Sequence, residues 1–348
     1  MQFRRTPVAG IVYNTTMSRP DAALTLALLH GLEGKRETRV ASIAMTESSL
    51  GAAVFADLTF RFYQLGPLPN ANRTLPVGLA ADKPLPPDSA AVKAVLERVD
   101  EKGGPVYKRG VRRVSDTAEV TALMRNSLTY FDDGWVAVVL GAPATYLARV
   151  LDYDGTRDLI KSKVRTTIIS ECRQDVVAMR RVLAEWPAPI VFCGRDVGDA
   201  LPYPGSSIEQ DFAWTKAHPV VDFYRASKPM PYDYPSQDPA AVLYAARPDA
   251  GLFQLSSGSL EALDDGGMRF TPSPEGKHKR ITVDPAKRDQ ILAALREVVT
   301  AKPVPPQQRR RFTPEELEKF KREREEEQKK RDLEEKKAAP KPVPPIRP

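Results

Sequence analysis

The sequence is poor in the residues that thiol and transition-metal chemistry use most: 348 residues hold two cysteines and three histidines. Cys172 and Cys193 cannot build a disulfide framework or a four-cysteine zinc site. Each closes a β-like run, where buried thiols are common, so catalysis through cysteine is not expected. His30, His218 and His278 match no metal-binding spacing and read as surface or helix-end residues. Long apolar runs are missing too. None approaches the roughly 18 residues of a membrane-spanning helix, and the segment after Met1 lacks the apolar stretch of a signal peptide, so the expected setting is cytoplasmic, without a membrane partner. There is no glycine-rich phosphate loop, no nucleophile-elbow pattern and no His-Glu-x-x-His, which removes the commonest nucleotide, acyl-transfer and zinc-hydrolase signatures.

Proline is abundant, with 32 residues, close to twice the average share of roughly 5%. The net charge of +7 is unevenly spread: residues 303–348 hold 14 Lys and Arg against 10 Asp and Glu, while the preceding 302 hold 38 against 35. The body is nearly balanced, which argues against a nucleic-acid partner.

Apolar runs and helical patterns alternate along the body. Val8–Tyr13, Arg39–Met45, Trp135–Leu140, Val164–Ile169 and Ile190–Cys193 read as five strands. Helices are expected from Pro20 through Leu29, from a cap at Ser48 or Ser49 to Tyr63, from Ser89 to Glu101, Thr117 to Tyr130, through Leu147 and Val150, and from Val176 to Leu183. Further helices are expected over Ser207–Lys216, Asp238–Ala246 and from an Asp284 cap to Thr300. This order predicts an α/β fold, a mostly parallel, Rossmann-like sheet flanked by helices. Leu260–Leu263, Asp264-Asp265-Gly266-Gly267 and Met268–Thr271 read as a small β-hairpin appendage. Leu65–Asp88 is rich in Gly and Pro and reads as a surface excursion.

The expected domain covers residues 5–302 and ends at Lys302-Pro303-Val304-Pro305-Pro306. Beyond it, Thr313-Pro314-Glu315-Glu316 is a strong helix start, followed by a run of Glu, Lys, Arg and Gln to Lys337 and a proline-rich end. A solvated charged helix is the simplest reading of 303–348; docking of a protein partner is the other, and interspersed Glu residues argue against RNA.

In an open α/β sheet ligands bind beyond the carboxyl ends of the strands, which directs attention to Asn14-Thr15-Thr16-Met17-Ser18-Arg19-Pro20-Asp21 after the first strand. The frame from Val8 to Leu29 resembles the opening of the inosine/uridine-preferring nucleoside hydrolases: a strand, Asp-x-Asp-Pro-Gly-x-Asp-Asp, then Ala-x-Ala-Leu leading a helix. Val138–Ala148 is similar to that family's Leu-Gly-Pro-Leu-Thr-Asn-Leu-Ala segment, and Tyr234–Val242 to its late His-Asp-Pro-Leu-Ala segment. The resemblance spans Val8 to Lys302.

It implies hydrolysis of the N-glycosidic bond of ribonucleosides at a calcium ion. In the family, carboxylates and a threonine carbonyl hold the ion, a carboxylate takes a proton from the attacking water, and a histidine often serves the leaving base. Calcium asks for six to eight oxygens, several of them charged. Carried onto this chain, the four motif aspartates fall on Asn14, Thr16, Pro20 and Asp21. The base position is therefore Pro20 and the acid position Gln237, neither able to transfer a proton. The implied metal ligands are Asp21, Asp238, the Thr145 carbonyl and Thr16. Asn14 and Glu171 are the implied contacts to the sugar. The same two aspartates have a plainer reading, Asp21 complementing the dipole of its helix and Asp238 capping the helix at Pro239. Two functions follow: a nucleoside hydrolase-like enzyme of weak or altered activity on a nucleoside or ribose-like molecule, or a non-catalytic binding protein on the same fold. A homo-oligomer fits either.

Overall fold

The computed structural model describes residues 9–64, 75–170 and 172–303. The tail helix expected from Thr313 and the residue Glu171 lie outside the described residues.

In chain order the strands are β1 (Ala9–Thr15), β2 (Thr38–Met45), β3 (Val77–Leu79), β4 (Val136–Gly141), β5 (Val164–Ser170), β6 (Ile190–Cys193), β7 (Pro202–Tyr203), β8 (Tyr234–Pro235), β9 (Gln254–Ala262), β10 (Met268–Pro272) and β11 (His278–Thr282). The helices are α1 (Pro20–Gly34), α2 (Leu50–Tyr63), α3 (Ala90–Leu96), α4 (Val120–Thr129), α5 (Thr145–Val150), α6 (Thr156–Lys163), α7 (Val176–Glu185), α8 (Arg195–Ala200), α9 (Gly205–Gln210), α10 (Pro219–Ser227), α11 (Gln237–Ala246) and α12 (Arg288–Val299).

One nine-stranded sheet carries the fold, in the order β10-β9-β11-β6-β5-β4-β1-β2-β3, and β7 pairs with β8 separately. From β6 to β3 every pairing is parallel. The chain builds outward from β1 through β2 to β3, then returns to the other side of β1 and builds through β4 and β5 to β6. The order therefore reverses between β1 and β4, and the crevice beyond their carboxyl ends is where an open α/β sheet receives a ligand. Both strands are buried along their whole length, as strands covered on two faces must be.

α1 shows how the sequence builds the core. Residues Pro20 to Leu32 are all buried, and the helix carries apolar residues on every side, so it runs through the interior and not along the surface. It lies against α11 and α12 on one flank and α2 and α10 on others. At Gly31 the packing is so close that a Cβ would stand 2.2 Å from the Val298 carbonyl oxygen.

Three expectations need correction. The hairpin of β9 and β10 is no separate appendage: β11 pairs antiparallel with β9 and parallel with β6, so the hairpin extends the main sheet. The excursion after α2 contains β3, a buried edge strand that pairs with β2. The three histidines are buried, at 2–4% exposure, His30 inside α1, His218 at the head of α10 and His278 in β11. Each is placed by packing that only the folded chain provides. No helix among the described residues is long and apolar enough to cross a membrane.

Candidate functional site

The site begins where β1 runs out at the sheet centre. Tyr13 and Asn14 are among its last residues and are both buried. Asn14 accepts a hydrogen bond from the Thr46 hydroxyl at 3.1 Å, tying the ends of β1 and β2. The loop after β1 then makes a tight excursion. Met17 adopts φ 51°, a left-handed conformation rarely taken by a bulky residue, and is held there by burial and by donating its N–H to Thr15 Oγ1 at 3.1 Å. Ser48 donates to the Thr16 carbonyl at 2.7 Å, and Thr16 and Ser18 share a hydroxyl contact of 2.7 Å, so the loop is braced from outside and within.

Arg19 is the N-cap of α1, with extended backbone (φ −127°, ψ 151°), and Pro20 takes the first helical position. The two facts are connected. The ring of a proline clashes with a helical conformation in the residue before it, so Pro20 holds Arg19 extended, and the guanidinium turns back across the end of the sheet. There it meets two aspartates. Arg19 Nε stands 3.2 Å from Asp21 Oδ1, and Nη2 donates to Asp238 Oδ1 at 3.3 Å. Asp21 is 1% exposed and Asp238 fully buried, whereas the arginine side chain beside them is 32% exposed.

Asp21 sits in the first turn of α1 and Asp238 in the first turn of α11, so two helix N-termini converge on the pair and each favours its negative charge. Tyr13 donates its hydroxyl to Asp238 Oδ2 at 2.6 Å from β1. On the β4 side Gly141 leaves room for the same carboxylate; a Cβ there would lie 2.3 Å from Oδ2. Burial and the Asp238 charge raise the proton affinity of Asp21 above the usual carboxylate range, against the opposing pull of Arg19. Burial and Asp238 likewise push the Tyr13 hydroxyl well up, so it remains a donor. The Tyr224 hydroxyl is buried within electrostatic reach of Asp21 and meets no hydrogen-bond partner among the described residues. Tyr234, half-buried, completes the rim with Lys228 5.7 Å from its ring centre.

Of the residues picked out by the sequence, the structure joins Asp21 and Asp238 through Arg19, places Asn14 and Thr16 at the end of β1 and in the loop after it, and gives the Thr145 and Gln237 side chains other partners. Thr145 opens α5 and donates its hydroxyl to Asp175 Oδ2 at 3.0 Å, tying α5 to the head of α7. Gln237 is buried and donates from Nε2 to the Cys193 carbonyl at 3.0 Å, anchoring α11 to β6. Pro20 is buried in the helix start. Tyr13, Arg19, Tyr224 and Tyr234 are the site residues that sequence reasoning missed. One signal for Arg19 was present: Pro20 at a helix start makes Arg19 the cap, and a cation there opposes the helix dipole unless an anion faces it.

The donor set does not match what calcium asks for. The two carboxylates share one guanidinium, and Asp238 Oδ2 accepts from Tyr13. Among the described residues no three Asp, Glu, His or Cys side chains are grouped to hold a metal. A cavity of about 450 Å³ lies elsewhere, lined by Asp88, Lys93, Glu97, Arg98 and their neighbours, and shares no residue with this site.

No family model matches the chain, and no curated protein matches it by sequence. Solved structures do match its shape. A plant nucleoside hydrolase is covered over its whole length by 85% of this chain, with 18% identity and a TM-score of 0.58. The inosine-uridine preferring nucleoside hydrolase of Bacillus anthracis is covered over 99% by 83% of the chain, with 14% identity and a TM-score of 0.58. The type III effector protein XopQ, solved with adenosine diphosphate ribose, is covered over 95% by 85% of the chain, with 15% identity and a TM-score of 0.56. The chain has the nucleoside hydrolase fold.

Proposed function

We propose that this chain is a nucleoside hydrolase-like protein that binds a nucleoside or another ribose-bearing small molecule beyond the carboxyl ends of β1 and β4, with N-glycosidic hydrolysis weak or altered. The observation that carries this reading is the pair Asp21 and Asp238, buried on two helix N-termini at the point where the strand order reverses, in a fold shared with nucleoside hydrolases. Vicinal ribose hydroxyls are donors that suit carboxylate oxygens, and a guanidinium beside them can donate to ring or hydroxyl oxygens. Half-buried Tyr234 offers an aromatic face for a base.

Proton transfer is the weak link in hydrolysis. Pro20 and Gln237 stand where the family resemblance implies base and acid, and neither can exchange a proton. Asp21, with its raised proton affinity, is the group in this cluster best suited to accept one from water. The second reading, a non-catalytic binding protein, is favoured by Gln237, whose carboxamide is committed to the Cys193 carbonyl.

The test is ribose release from a panel of purine and pyrimidine nucleosides at high protein concentration, with added calcium and with chelator, alongside melting shifts for each nucleoside and for ADP-ribose. A ligand-dependent rise in melting temperature that is lost in Asp238→Asn supports the binding site. Ribose release lost in Asp21→Asn assigns the chemistry to Asp21. Failure of every ribose-bearing compound to shift the melt overturns the proposal.

A further inference from the structure

We infer that Arg19 is a built-in replacement for a metal ion: its guanidinium supplies the positive charge that the buried Asp21 and Asp238 require, and the site takes up no calcium. The geometry is that of a bridge. One guanidinium reaches both carboxylates, at 3.2 Å and 3.3 Å, from a cap residue whose backbone is held extended by Pro20. Buried carboxylates are strongly destabilising unless paired, so the pair needs a cation of some kind. Arg19 meets that need from within the chain. The other contributions are also covalent parts of the protein, namely the Tyr13 hydroxyl on Asp238 Oδ2 and the N-termini of α1 and α11.

A divalent cation arriving at this place would meet a resident positive charge within about 3 Å of both ligands, and repulsion at that distance in a buried site far exceeds its value in water. To bind, it would have to expel the guanidinium into solvent. It would then find two carboxylates and neutral oxygens, a charge count that favours only weak calcium affinity. Pro20 thus has a role that its chemistry alone hides. Its side chain contributes no oxygen, but it fixes the residue that makes the oxygen ligands unnecessary.

The inference stands independently of whether a nucleoside binds, so it is tested without one. The full chain is melted in calcium, in magnesium and in chelator, and titrated with terbium, whose luminescence tyrosines such as Tyr13 and Tyr234 would sensitise. The wild-type melting temperature is expected to be the same in all three conditions, with no saturable terbium signal. Arg19→Ala leaves two buried carboxylates without a counter-charge. It is expected to melt lower in chelator, to recover by about 2 °C or more in calcium, and to gain a terbium signal. Arg19→Lys keeps the charge and is expected to fold and stay calcium-insensitive; with the wild type it decides the matter should Arg19→Ala not fold. A wild-type chain stabilised by calcium or binding terbium overturns the inference, as does a folded Arg19→Ala that gains neither response.

Discussion

At the residue scale the recurring theme is a polar group removed from water and answered by specific partners within the fold. Asp238 is answered by Tyr13, 225 residues away in the chain, and by Arg19. His218 is the other clear case. Its ring is 2% exposed among Phe62, Phe212 and Trp214 at centroid distances of 4.7, 4.4 and 5.8 Å. Nδ1 accepts from the Val220 N–H at 3.3 Å, which leaves Nε2 to donate to the Tyr63 hydroxyl at 3.0 Å. Burial lowers its pKa to about 3. An unfolded chain takes up a proton near pH 6.5 that the folded chain refuses, so stability is full above that pH and falls as pH drops toward 3. In that window this residue alone is expected to cost the wild type about 1.4 kcal/mol per pH unit. Urea denaturation at pH 7 and pH 5 checks this: His218→Asn, which keeps an acceptor near Nδ1 and does not titrate, is expected to show a smaller loss between the two.

At the element scale α1 links the site to the packing of the surrounding helices. Its N-terminus presents Asp21 to the site and its far end packs on α12. Gly31 makes that approach possible, because its absent side chain admits the Val298 carbonyl. Neither backbone can give easily, so Gly31→Ala is expected to destabilise by about 1–3 kcal/mol despite the better helix propensity of alanine. Equilibrium unfolding would read the loss directly. An unchanged midpoint would mean that α12 shifts freely on α1. The β11 strand illustrates a different point. His278-Lys279-Arg280-Ile281-Thr282 lacks a clear apolar run, yet it joins the antiparallel hairpin to the parallel sheet. Its strand character comes from having a neighbour on each side, which local pattern does not encode.

At the scale of the whole molecule, a near-neutral body of 302 residues precedes a charged, proline-rich segment. We propose that the body folds without it. A chain ending at residue 303 is expected to match the full chain in melting temperature and in nucleoside-dependent shift, as measured by calorimetry and thermal shift. A truncated chain that fails to fold would reject that division, and one that folds but no longer retains a protein partner would assign the partner to 304–348.

The sequence by itself determined the alternation of strands and helices, the parallel sheet and the helix starts at Pro20 and Ser49, because these rest on periodicity and capping within a few residues; the cap expected at Asp238 is instead Ser236, and Asp238 lies in the first turn of α11. It also marked the loop after β1 as the candidate site, since the end of the first strand of such a sheet is a location set by topology. Only the tertiary structure decided what that loop does. Arg19 and Asp238 lie 219 residues apart, and neither carries a local mark of the other. Their meeting depends on where α11 ends up against β1 and β4, and on the turn that Pro20 imposes on the residue before it. The burial of all three histidines was hidden for the same reason. A side chain's neighbours are set by packing between elements, and that packing is a property of the folded chain as a whole.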